Sequence, residues 1–485
     1  MSGAMGGRVA LRLGPKQWRA RLYGARLYGA LAALASVVSA WGFSVDDALI
    51  SARVAEHLSH GHGYRFNLDG PSTDCVTPLG WAHLLAPFAR GGAEAALSAA
   101  ALLGAALWLL AAAQLGHWAA ALCTGARRWA FFACIAGSLP LGAWACAGME
   151  TGLVLALGVG ALAPGLPGAV CAGMAAALRP ELVPWAVTLS FGQALAARAP
   201  VRARAAALAA ALLPALLVAL LRWSLFGLPV PLSVYAKPSD FAHGLRYVFG
   251  TLVLAGPALA LLSVVAWRRI PTRLWAVTLA FAVHVLILLG IGGDWMPLWR
   301  LAVPTFPGVL LVGAALAEHS SHWSNLLRAL LLTAAAAQLH YFLGSDTRAV
   351  RARQSRVIAE ARVLLAGSRR IGAVDVGWLG AASDQHLVDF AGVTDPEVAF
   401  LSGGHTSKRL PRDFLERQRI DTLVLRRSAG ATPAAEPHWA YQVDARVLTL
   451  RGAERFTSAG TLPLVNGDEY VVLRATNPDS GELAP

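Results

Sequence analysis

Two adjacent aspartates, Asp46 and Asp47, follow the first long apolar stretch and lie near the start of the polar segment FSVDDALISARVAEHLSHGHGYRFN. Acidic side chains are costly beside hydrocarbon, so their presence at a membrane surface needs a functional or a pairing reason. A positioned carboxylate can act as a general base that takes a proton from an attacking hydroxyl. We therefore predict Asp46 and Asp47 as catalytic residues. One of them could instead be the N-cap of a helix, where aspartate is favoured.

The residues after the two aspartates have the pattern of an amphipathic helix. Leu49, Ile50, Val54 and Leu58 recur at helical spacing and would form one apolar face. This pattern predicts an interfacial helix that lies along the outer leaflet of the membrane.

Three basic residues, Arg179, Lys237 and Arg300, are candidates for binding the phosphate of a donor. A guanidinium binds phosphate oxygens through paired hydrogen bonds, whereas an ammonium acts as a compact charge. Lys237 is notable because the chain has only three lysines among its 41 Lys and Arg residues. Other roles remain open: Arg179 could pair with Glu181 or reach the interface, Lys237 could be an exposed loop charge, and Arg300 could pair with Asp294.

Polar and aromatic side chains in the same segments are candidates for binding the sugar or the acceptor. In GGDWMPLWR, two glycines permit tight turns or close ligand approach, although an interfacial aromatic belt is the alternative interpretation. The histidines of HGHGY could contact phosphate or metal, or could be solvated residues of a flexible connection. The predicted sugar- and acceptor-binding residues are His62, Tyr64, Glu150, Tyr235, Asp294 and Trp295.

The sequence gives little indication of a metal or disulfide site. The five cysteines show no CxxC or Cys/His spacing, so we expect neither a zinc site nor a disulfide framework. We assign no metal ligand. A divalent cation is still possible, because Asp46, Asp47, His62 and Asp294 include the carboxylates that hard cations prefer.

Composition places most of the chain in a membrane. Hydrophobic residues make up 56% of the 485 residues, charged residues 14%, and the mean hydropathy is +0.53. These values are typical of a polytopic α-helical membrane protein. Residues 1–345 hold 23 Lys and Arg against 11 Asp and Glu, whereas residues 346–485 hold 18 against 17. The basic surplus therefore indicates membrane topology and contact with anionic lipid, not nucleic-acid binding.

Apolar runs predict about eleven spans within residues 1–345, and the segment 152–178 could be a helical hairpin or a re-entrant pair. Basic residues occupy alternate connections, which the positive-inside rule places in the cytoplasm. Ten of the eleven acidic residues before 346 then lie on the outer side, which predicts an outward-facing polar cleft. The basic residues used are Lys16, Arg19, Arg21, Arg26, Arg127, Arg128, Arg198, Arg202, Arg204, Arg268, Arg269 and Arg273.

The composition changes near residue 346. Short apolar runs alternate with Gly/Asp turns and helical stretches through residues 346–485. This predicts two domains: a transmembrane catalytic domain, 1–345, and a soluble, extracytoplasmic α/β or α+β domain, 346–485. The near-neutral charge of the second domain fits a carbohydrate partner or a plain structural lid.

An outward-facing site in a bacterium has no access to ATP or nucleotide sugars, so a transfer reaction there needs a donor delivered through the membrane. A polyprenyl-phosphate sugar fits, since its tail lies in the bilayer and its phosphate at the interface. Basic residues would stabilise charge on the departing phosphate, and a carboxylate would deprotonate the acceptor hydroxyl.

Several motifs, taken in order, resemble those of GT-C membrane glycosyltransferases, most closely the mycobacterial terminal β-(1→2)-arabinofuranosyltransferase group. They are DDALISARVAEHLSHGHGYRFN, AGMETG, LRPE, PLSVYAK, GGDWMPLWR and DFAGVTDPEVA. The resemblance implies a GT-C fold, a polyprenyl-phosphate sugar donor, inverting transfer and a first-loop aspartate as the base, here Asp46 or Asp47. Leu49 and Val54 stand where the family usually has aromatic residues, so an arabinose donor is not assumed.

The resulting expectation is an inverting glycosyltransferase of the bacterial plasma membrane whose acceptor is a cell-envelope glycan, a glycolipid or a protein. A transporter or flippase of a lipid-linked saccharide is the main alternative. A transporter should carry ionisable residues near mid-membrane and often inverted repeats, and neither is evident here. A non-catalytic envelope assembly protein is a third possibility, in which both aspartates would be dispensable.

Overall fold

A computed structural model of the chain describes residues 15–259, 264–429, 438–464 and 467–476, with only the backbone described for residues 15–21. The side chains of Lys16, Arg19 and Arg21 therefore lie outside the described part. The chain divides into two compact units. We call Met1–Ser44, Ala100–Val218 and Ser239–Ala349 the span unit, and Val45–Ala99, Ala219–Pro238 and Val350–Pro485 the sheet unit. The C-terminal segment thus forms one unit with two segments from the first half of the chain.

Helices dominate the described residues. In chain order they are α1 (Pro15–Ala40), α2 (Asp46–Ser59), α3 (Trp81–Leu85), α4 (Ala93–Leu122), α5 (Gly125–Ala136), α6 (Leu139–Cys146), α7 (Thr151–Gly160), α8 (Leu166–Leu178), α9 (Val183–Ala196), α10 (Val201–Phe226), α11 (Leu232–Ala236), α12 (Phe241–Leu259), α13 (Val264–Trp267), α14 (Thr272–Ile291), α15 (Phe306–His319), α16 (His322–Leu364), α17 (Val376–Ala382), α18 (Pro396–Ala399), α19 (Phe414–Arg417) and α20 (Gln442–Val447). Short 3₁₀ turns cover Ala86–Gly91, Pro180–Leu182, Val303–Thr305 and Ala453–Arg455.

Within the described residues, five helical segments are long and apolar enough to cross a membrane, or six if α5 and α6 form one span with a 47° bend. The five are Leu22–Ala40, Ala93–Leu122, Val201–Phe226, Thr272–Ile291 and His322–Leu364. This composition confirms a helical protein of the membrane type. Shorter apolar helices occur at Thr151–Gly160, Leu166–Leu178 and Val303–His319. The break between α7 and α8 falls at the interruption predicted within 152–178, whereas the count of eleven spans stays a prediction.

One apolar cluster of the span unit is built mainly from helices α7, α8, α9, α14 and α15. Trp185 and Leu189 of α9 lie buried among apolar side chains such as Val154, Val277 and Val312. Alanine is abundant in this cluster, and small side chains let membrane helices approach closely.

The sheet unit contains a mixed five-stranded sheet in the order β2-β1-β3-β5-β4. Parallel pairing joins β1 to β2 and β3, and antiparallel pairing joins β5 to β3 and β4. The strands are β1 (Arg370–Ala373), β2 (His386–Asp389), β3 (Thr422–Arg427), β4 (Phe456–Pro463) and β5 (Glu469–Ala475). The small C-terminal sheet region was predicted from the alternation of short apolar runs. Buried side chains of β2 and β3 pack against α19 and α20 in one apolar core.

Candidate functional site

Asp46 lies in the first turn of α2 and is bound to the beginning of another helix. Its Oδ2 accepts a hydrogen bond from the backbone N–H of Gly377 at 2.8 Å, and its Oδ1 accepts one from Trp378 at 2.8 Å. The predicted N-cap role is wrong, because Val45 is the N-cap residue of α2 and neither aspartate occupies that position. Burial raises the pKa of Asp46 well above its usual range, and the negative charge of Asp375 is the second largest cause of this increase.

The absence of a side chain at Gly377 allows this close approach. A Cβ atom at Gly377 would lie 2.0 Å from the carbonyl oxygen of Asp46. Such a contact is far inside van der Waals distance, so α17 can approach α2 only with glycine at this position.

Arg53 joins α2 to the C-terminal part of the sheet unit. Its guanidinium donates to the carbonyl oxygens of Phe66 at 2.8 Å, Gly380 at 2.6 Å and Ser383 at 2.7 Å. Arg53 is only 1% exposed, and His57 of the same helix is also buried. The polar side chains of this helix are therefore buried within the sheet unit and bonded to backbone carbonyls. Its expected place along the outer leaflet stays a prediction.

Beyond β1, a partly buried network of hydrogen bonds surrounds the carboxylate of Asp375. The hydroxyl of Tyr470 donates to it at 2.6 Å and that of Tyr441 at 3.0 Å. Burial raises the pKa of Asp375, against the opposing effect of these hydrogen bonds and of Arg426. Nearby, burial raises the pKa of Asp444 to about 8, although the backbone N–H of Arg426 donates to its Oδ2.

Asp47 follows Asp46 in the chain but has a different environment. Its Oδ2 lies 3.8 Å from Nζ of Lys237, and both side chains are about a quarter exposed, at 28% and 26%. Lys237 is the residue directly after helix α11. The sheet unit therefore presents a partly accessible carboxylate beside an ammonium, both from residues that the sequence singled out.

The loop that carries Lys237 is held by a buried ion pair. Arg222 donates to a carboxylate oxygen of Asp74 and to the carbonyl oxygen of Thr77. The hydroxyls of Thr77 and Ser233 are 2.9 Å apart, and the backbone N–H of Leu232 donates to the carbonyl of Asp74. These bonds fix α11 against residues 74–77 and so set the position of Lys237.

Two aromatic residues form a surface next to this pair. The ring centroids of Tyr235 and Phe400 lie 5.1 Å apart, and Phe400 is 58% exposed. Phe400 comes directly after α18, the helix of the DPEVA motif. The exposed ring of Phe400, beside the half-buried Tyr235, offers an aromatic face of the type that sugars bind.

The histidine-containing loop after α2 has two kinds of residue. His62 is exposed, and its ring stacks at 6.3 Å from that of His60. Tyr64 instead packs between His83 at 5.5 Å and Phe226 at 5.6 Å. The position of His62 leaves a ligand role open, whereas the contacts of Tyr64 are those of a packing residue.

In the span unit, Arg179 lies between two carboxylates. Its Nε is 2.6 Å from Oε1 of Glu150, and one Nη is 3.4 Å from Oε1 of Glu181. Another Nη donates to the hydroxyl of Thr151 at 3.4 Å. Arg179 and Glu150 are almost wholly buried. Of the two roles that the sequence left open for Arg179, pairing with acidic residues is the one observed.

The loop after α14 has an unusual backbone. Gly292 and Gly293 have φ values of +88° and +70°, which favour glycine. Leu298 and Trp299 also have positive φ, at 60° and 52°, a strained conformation for residues with side chains. The predicted tight turn is present at the two glycines, and the strain extends to the end of the motif.

Within this loop, Nε of Arg300 donates to Oδ2 of Asp294 at 2.7 Å. The ring of Trp295, 58% exposed, stacks on His243 with centroids 4.1 Å apart. One Nη of Arg300 lies 3.5 Å from the sulfur of Met149, the neighbour of Glu150. The span unit thus brings the 292–300 loop close to the Glu150–Arg179 pair.

The predicted site residues therefore fall into two groups, one in each unit. The group of the sheet unit contains Asp46, Asp47, His62, Tyr64, Tyr235 and Lys237. The group of the span unit contains Glu150, Arg179, Asp294, Trp295 and Arg300. A single shared pocket for all of them stays a prediction.

Several residues that shape the sheet-unit group were not found from the sequence. Arg53 was assigned no role, and Asp375, Tyr441, Tyr470 and Phe400 were not identified. Phe400 had a usable signal, since it directly follows a motif that was recognised. The others act through contacts with residues distant in sequence, which leave no local pattern.

The part of the chain that the structure describes gives no positive indication of a metal centre. Among the described residues, no three or more His, Cys, Asp or Glu side chains are grouped so that they could hold a metal ion.

One comparison with known proteins gives a match, to the C-terminal region alone. Residues 347–472 match a family described as a domain of unknown function, DUF8728. This range includes strands β1 to β4 and part of β5, but α2 and α11 of the same unit lie outside it. No curated protein and no solved structure matches the chain.

Proposed function

We propose that this protein is an inverting glycosyltransferase of GT-C type that moves a sugar from a polyprenyl-phosphate donor to a cell-envelope glycan, glycolipid or protein. The observation that carries the proposal is the Asp47–Lys237 pair, a partly exposed carboxylate 3.8 Å from an ammonium. The reaction needs one base and one cation at the membrane surface, and this pair supplies both.

Asp47 is the base in this proposal, and Asp46 is a positioning residue. Both oxygens of Asp46 already accept backbone hydrogen bonds, and its raised pKa disfavours the ionised form that a base must adopt. Asp47 keeps a partly exposed carboxylate at the beginning of the same helix. Asp46 fixes the first turn of α2 and thereby the direction of its neighbour.

The proposed chemical step is a single displacement. Asp47 accepts the proton of the acceptor hydroxyl while the acceptor oxygen forms a bond to the anomeric carbon. The bond from that carbon to the phosphate oxygen breaks, and its electron pair leaves with the polyprenyl phosphate. In this proposal Lys237 exchanges its contact with Asp47 for one with the phosphate, on the opposite side of the anomeric carbon, and stabilises the charge that develops there. Attack opposite to the leaving group inverts the anomeric centre.

Other residues would orient the substrates. The exposed ring of Phe400, in contact with Tyr235, would stack on a sugar ring, and Tyr235 is close in sequence to Lys237. In the span unit, Asp294 and Trp295 are candidates for sugar hydroxyls and a sugar face, and Arg300 for phosphate. Arg179 is the weakest phosphate candidate, since two carboxylates surround its guanidinium.

The proposed location is the bacterial plasma membrane, with about eleven spans and with the reactive residues on the extracytoplasmic side. Its support is the alternation of basic connections along the sequence together with the apolar helices of the span unit.

The proposal can be tested by lipid analysis of a deletion strain that carries either the wild-type gene or a variant. We expect a polyprenyl-phosphate sugar to accumulate in the deletion strain and with Asp47→Asn, and to return to its normal level with the wild type. Asp69→Asn is a matched control, because Asp69 is a 64% exposed acidic residue of the same unit. Unchanged levels of all polyprenyl-phosphate sugars in the deletion strain would rule out this donor.

A further inference from the structure

The span unit contains an apolar crevice that the proposed reaction does not use. A cavity of about 330 Å³ lies among α5, α6, α12, α15 and α16. Its walls are mostly alanine and leucine, with small side chains such as Ala130, Ala133, Ala255 and Ala336 leaving the space open. An apolar cavity of this kind stays dry and can bind an apolar ligand, so its lining fits an apolar occupant.

The crevice is open along helix α16. Thr333 and Ala329 lie on its wall, and both residues are exposed. At one end, Nε2 of His340 donates to the carbonyl oxygen of Gly137 at 3.1 Å, where α5 ends before the bend into α6. An elongated apolar ligand could therefore enter beside α16 and end near the His340–Gly137 contact.

The other end of the crevice is basic. A smaller cavity of about 90 Å³ shares wall residues with the first, such as Cys134 and Leu332, and is also lined by Arg127 and Arg328. An Nη of Arg328 donates to Ser320 at 2.7 Å and to the side-chain oxygen of Asn325 at 2.9 Å. The two cavities together form one path that leads from apolar walls to two guanidinium groups.

Glu318 lies near this end, and its carboxylate is partly neutralised by its own contacts. Glu318 accepts hydrogen bonds from the backbone N–H of Thr124 at 3.0 Å and from Arg127 at 3.3 Å. Arg128 follows Arg127 in the chain, and Arg328 lines the same small cavity as Arg127, so basic residues outnumber Glu318 on these elements. The charge therefore favours an anionic head group above an apolar tail.

We propose that this crevice holds one acyl chain of an anionic phospholipid, whose phosphate is bound by Arg127 and Arg328. The phospholipid is favoured over the isoprenoid donor because Arg127 and Arg128 belong to the connections that the positive-inside rule assigns to the cytoplasm, where the leaflet is rich in anionic lipid. The proposed transfer reaction uses the opposite face of the membrane.

Native mass spectrometry of the purified full chain, titrated with dioleoyl phosphatidylglycerol or dioleoyl phosphatidylcholine, tests this site. We expect one phosphatidylglycerol to bind at a lower concentration than phosphatidylcholine. Arg328→Gln should weaken phosphatidylglycerol binding roughly fivefold and phosphatidylcholine binding less, because the choline cation of phosphatidylcholine already offsets its phosphate charge. Arg328→Lys should keep the preference for phosphatidylglycerol.

The apolar part of the site has its own variant pair. Thr333→Trp should fill the crevice and reduce phosphatidylglycerol binding. Leu330→Trp is the matched control, because Leu330 lies on the same helix, is 59% exposed and does not line the crevice. Both tryptophan substitutions are at exposed positions, so folding should be unaffected. The Arg328 variants test the basic end of the site independently of the apolar part.

Equal binding of the two phospholipids, or unchanged binding by Thr333→Trp, would overturn the proposal. Displacement of phosphatidylglycerol by an equimolar polyprenyl phosphate would assign the crevice to an isoprenoid and would also overturn it. The measurement does not involve sugar transfer, so its failure is distinct from failure of the proposed enzymatic function.

Discussion

The two units use acidic and basic residues in different ways. In the span unit, Glu150–Arg179 and Asp294–Arg300 are close, buried ion pairs, at 2.6 and 2.7 Å. In the sheet unit, Asp47 and Lys237 are 3.8 Å apart and partly exposed. Buried charges must be paired, because an isolated charge in a medium of low polarity is very costly. The partly exposed Asp47–Lys237 pair does not depend on such pairing, because water solvates both charges, and each side chain can exchange its contact for one with a substrate.

The largest effect on stability is expected from breaking a buried pair. Arg179→Gln leaves Glu150 buried with an uncompensated charge and should lower the free energy of unfolding by about 3–5 kcal/mol. Thermal unfolding in detergent measures this loss. Arg202→Gln, at an exposed position of α10, is the control and should have little effect. An Arg179→Gln protein as stable as the wild type would mean that the pair is not structurally important.

A smaller loss is expected at the contact between α2 and α17. Gly377→Ala places a Cβ atom against the backbone of Asp46 and should cost about 1–3 kcal/mol, in the range of overpacked cores. Gly404→Ala is the control in the same unit, because its nearest neighbour, Ser407 Oγ, would be 3.4 Å away. Equal melting temperatures for the two variants would contradict the observed close approach.

These contacts also show what can be inferred from the sequence and what cannot. The helix at 46–59, the break between α7 and α8 and the turn at Gly292 follow from local spacing, prolines and glycines. The pairing of Arg179 with Glu181 was one of two stated options because the residues are neighbours. The hydrogen bonds from Gly377 and Trp378 to Asp46 join residues more than 300 positions apart. No helical or strand periodicity records such a contact, so the separation of Asp46 and Asp47 into two roles needed the structure.

The buried acids of the sheet unit predict a dependence of stability on pH. The pKa of Asp444 is about 8 in the folded protein and about 4 in an unfolded chain. The folded state therefore retains a proton that the unfolded state loses, and this contribution to stability is complete below pH 4 and is lost as pH rises towards 8. Asp444→Asn should reduce the slope of unfolding free energy against pH by up to about 1.4 kcal/mol per unit.

Chemical unfolding measured between pH 5 and 8 checks this slope. Asp421→Asn provides the comparison, since Asp421 is a partly exposed carboxylate of the same unit. If Asp444→Asn and the wild type lose stability equally with rising pH, Asp444 is not protonated in the folded protein.

The smallest effect on stability is expected at the exposed pair. Lys237→Gln should change the free energy of unfolding by less than about 0.5 kcal/mol, because partly exposed ion pairs contribute little. Transfer should nevertheless fall roughly 100-fold, since stabilisation of the departing phosphate is lost. A stable Lys237→Gln protein with normal transfer would show that Lys237 takes no part in the reaction. The Asp47–Lys237 pair would then have no catalytic role that distinguishes it from the buried ion pairs of the span unit.

The most direct test of the account measures transfer rate and melting temperature in parallel for Asp46→Asn and Asp47→Asn. Asp47→Asn should reduce transfer by at least about 100-fold at an unchanged melting temperature, because only the base is removed. Asp46→Asn should lower the melting temperature, since an amide cannot accept both backbone hydrogen bonds, and its folded fraction should retain transfer. Full transfer by Asp47→Asn, or a stable Asp46→Asn protein with no transfer, would contradict the assignment of the two aspartates.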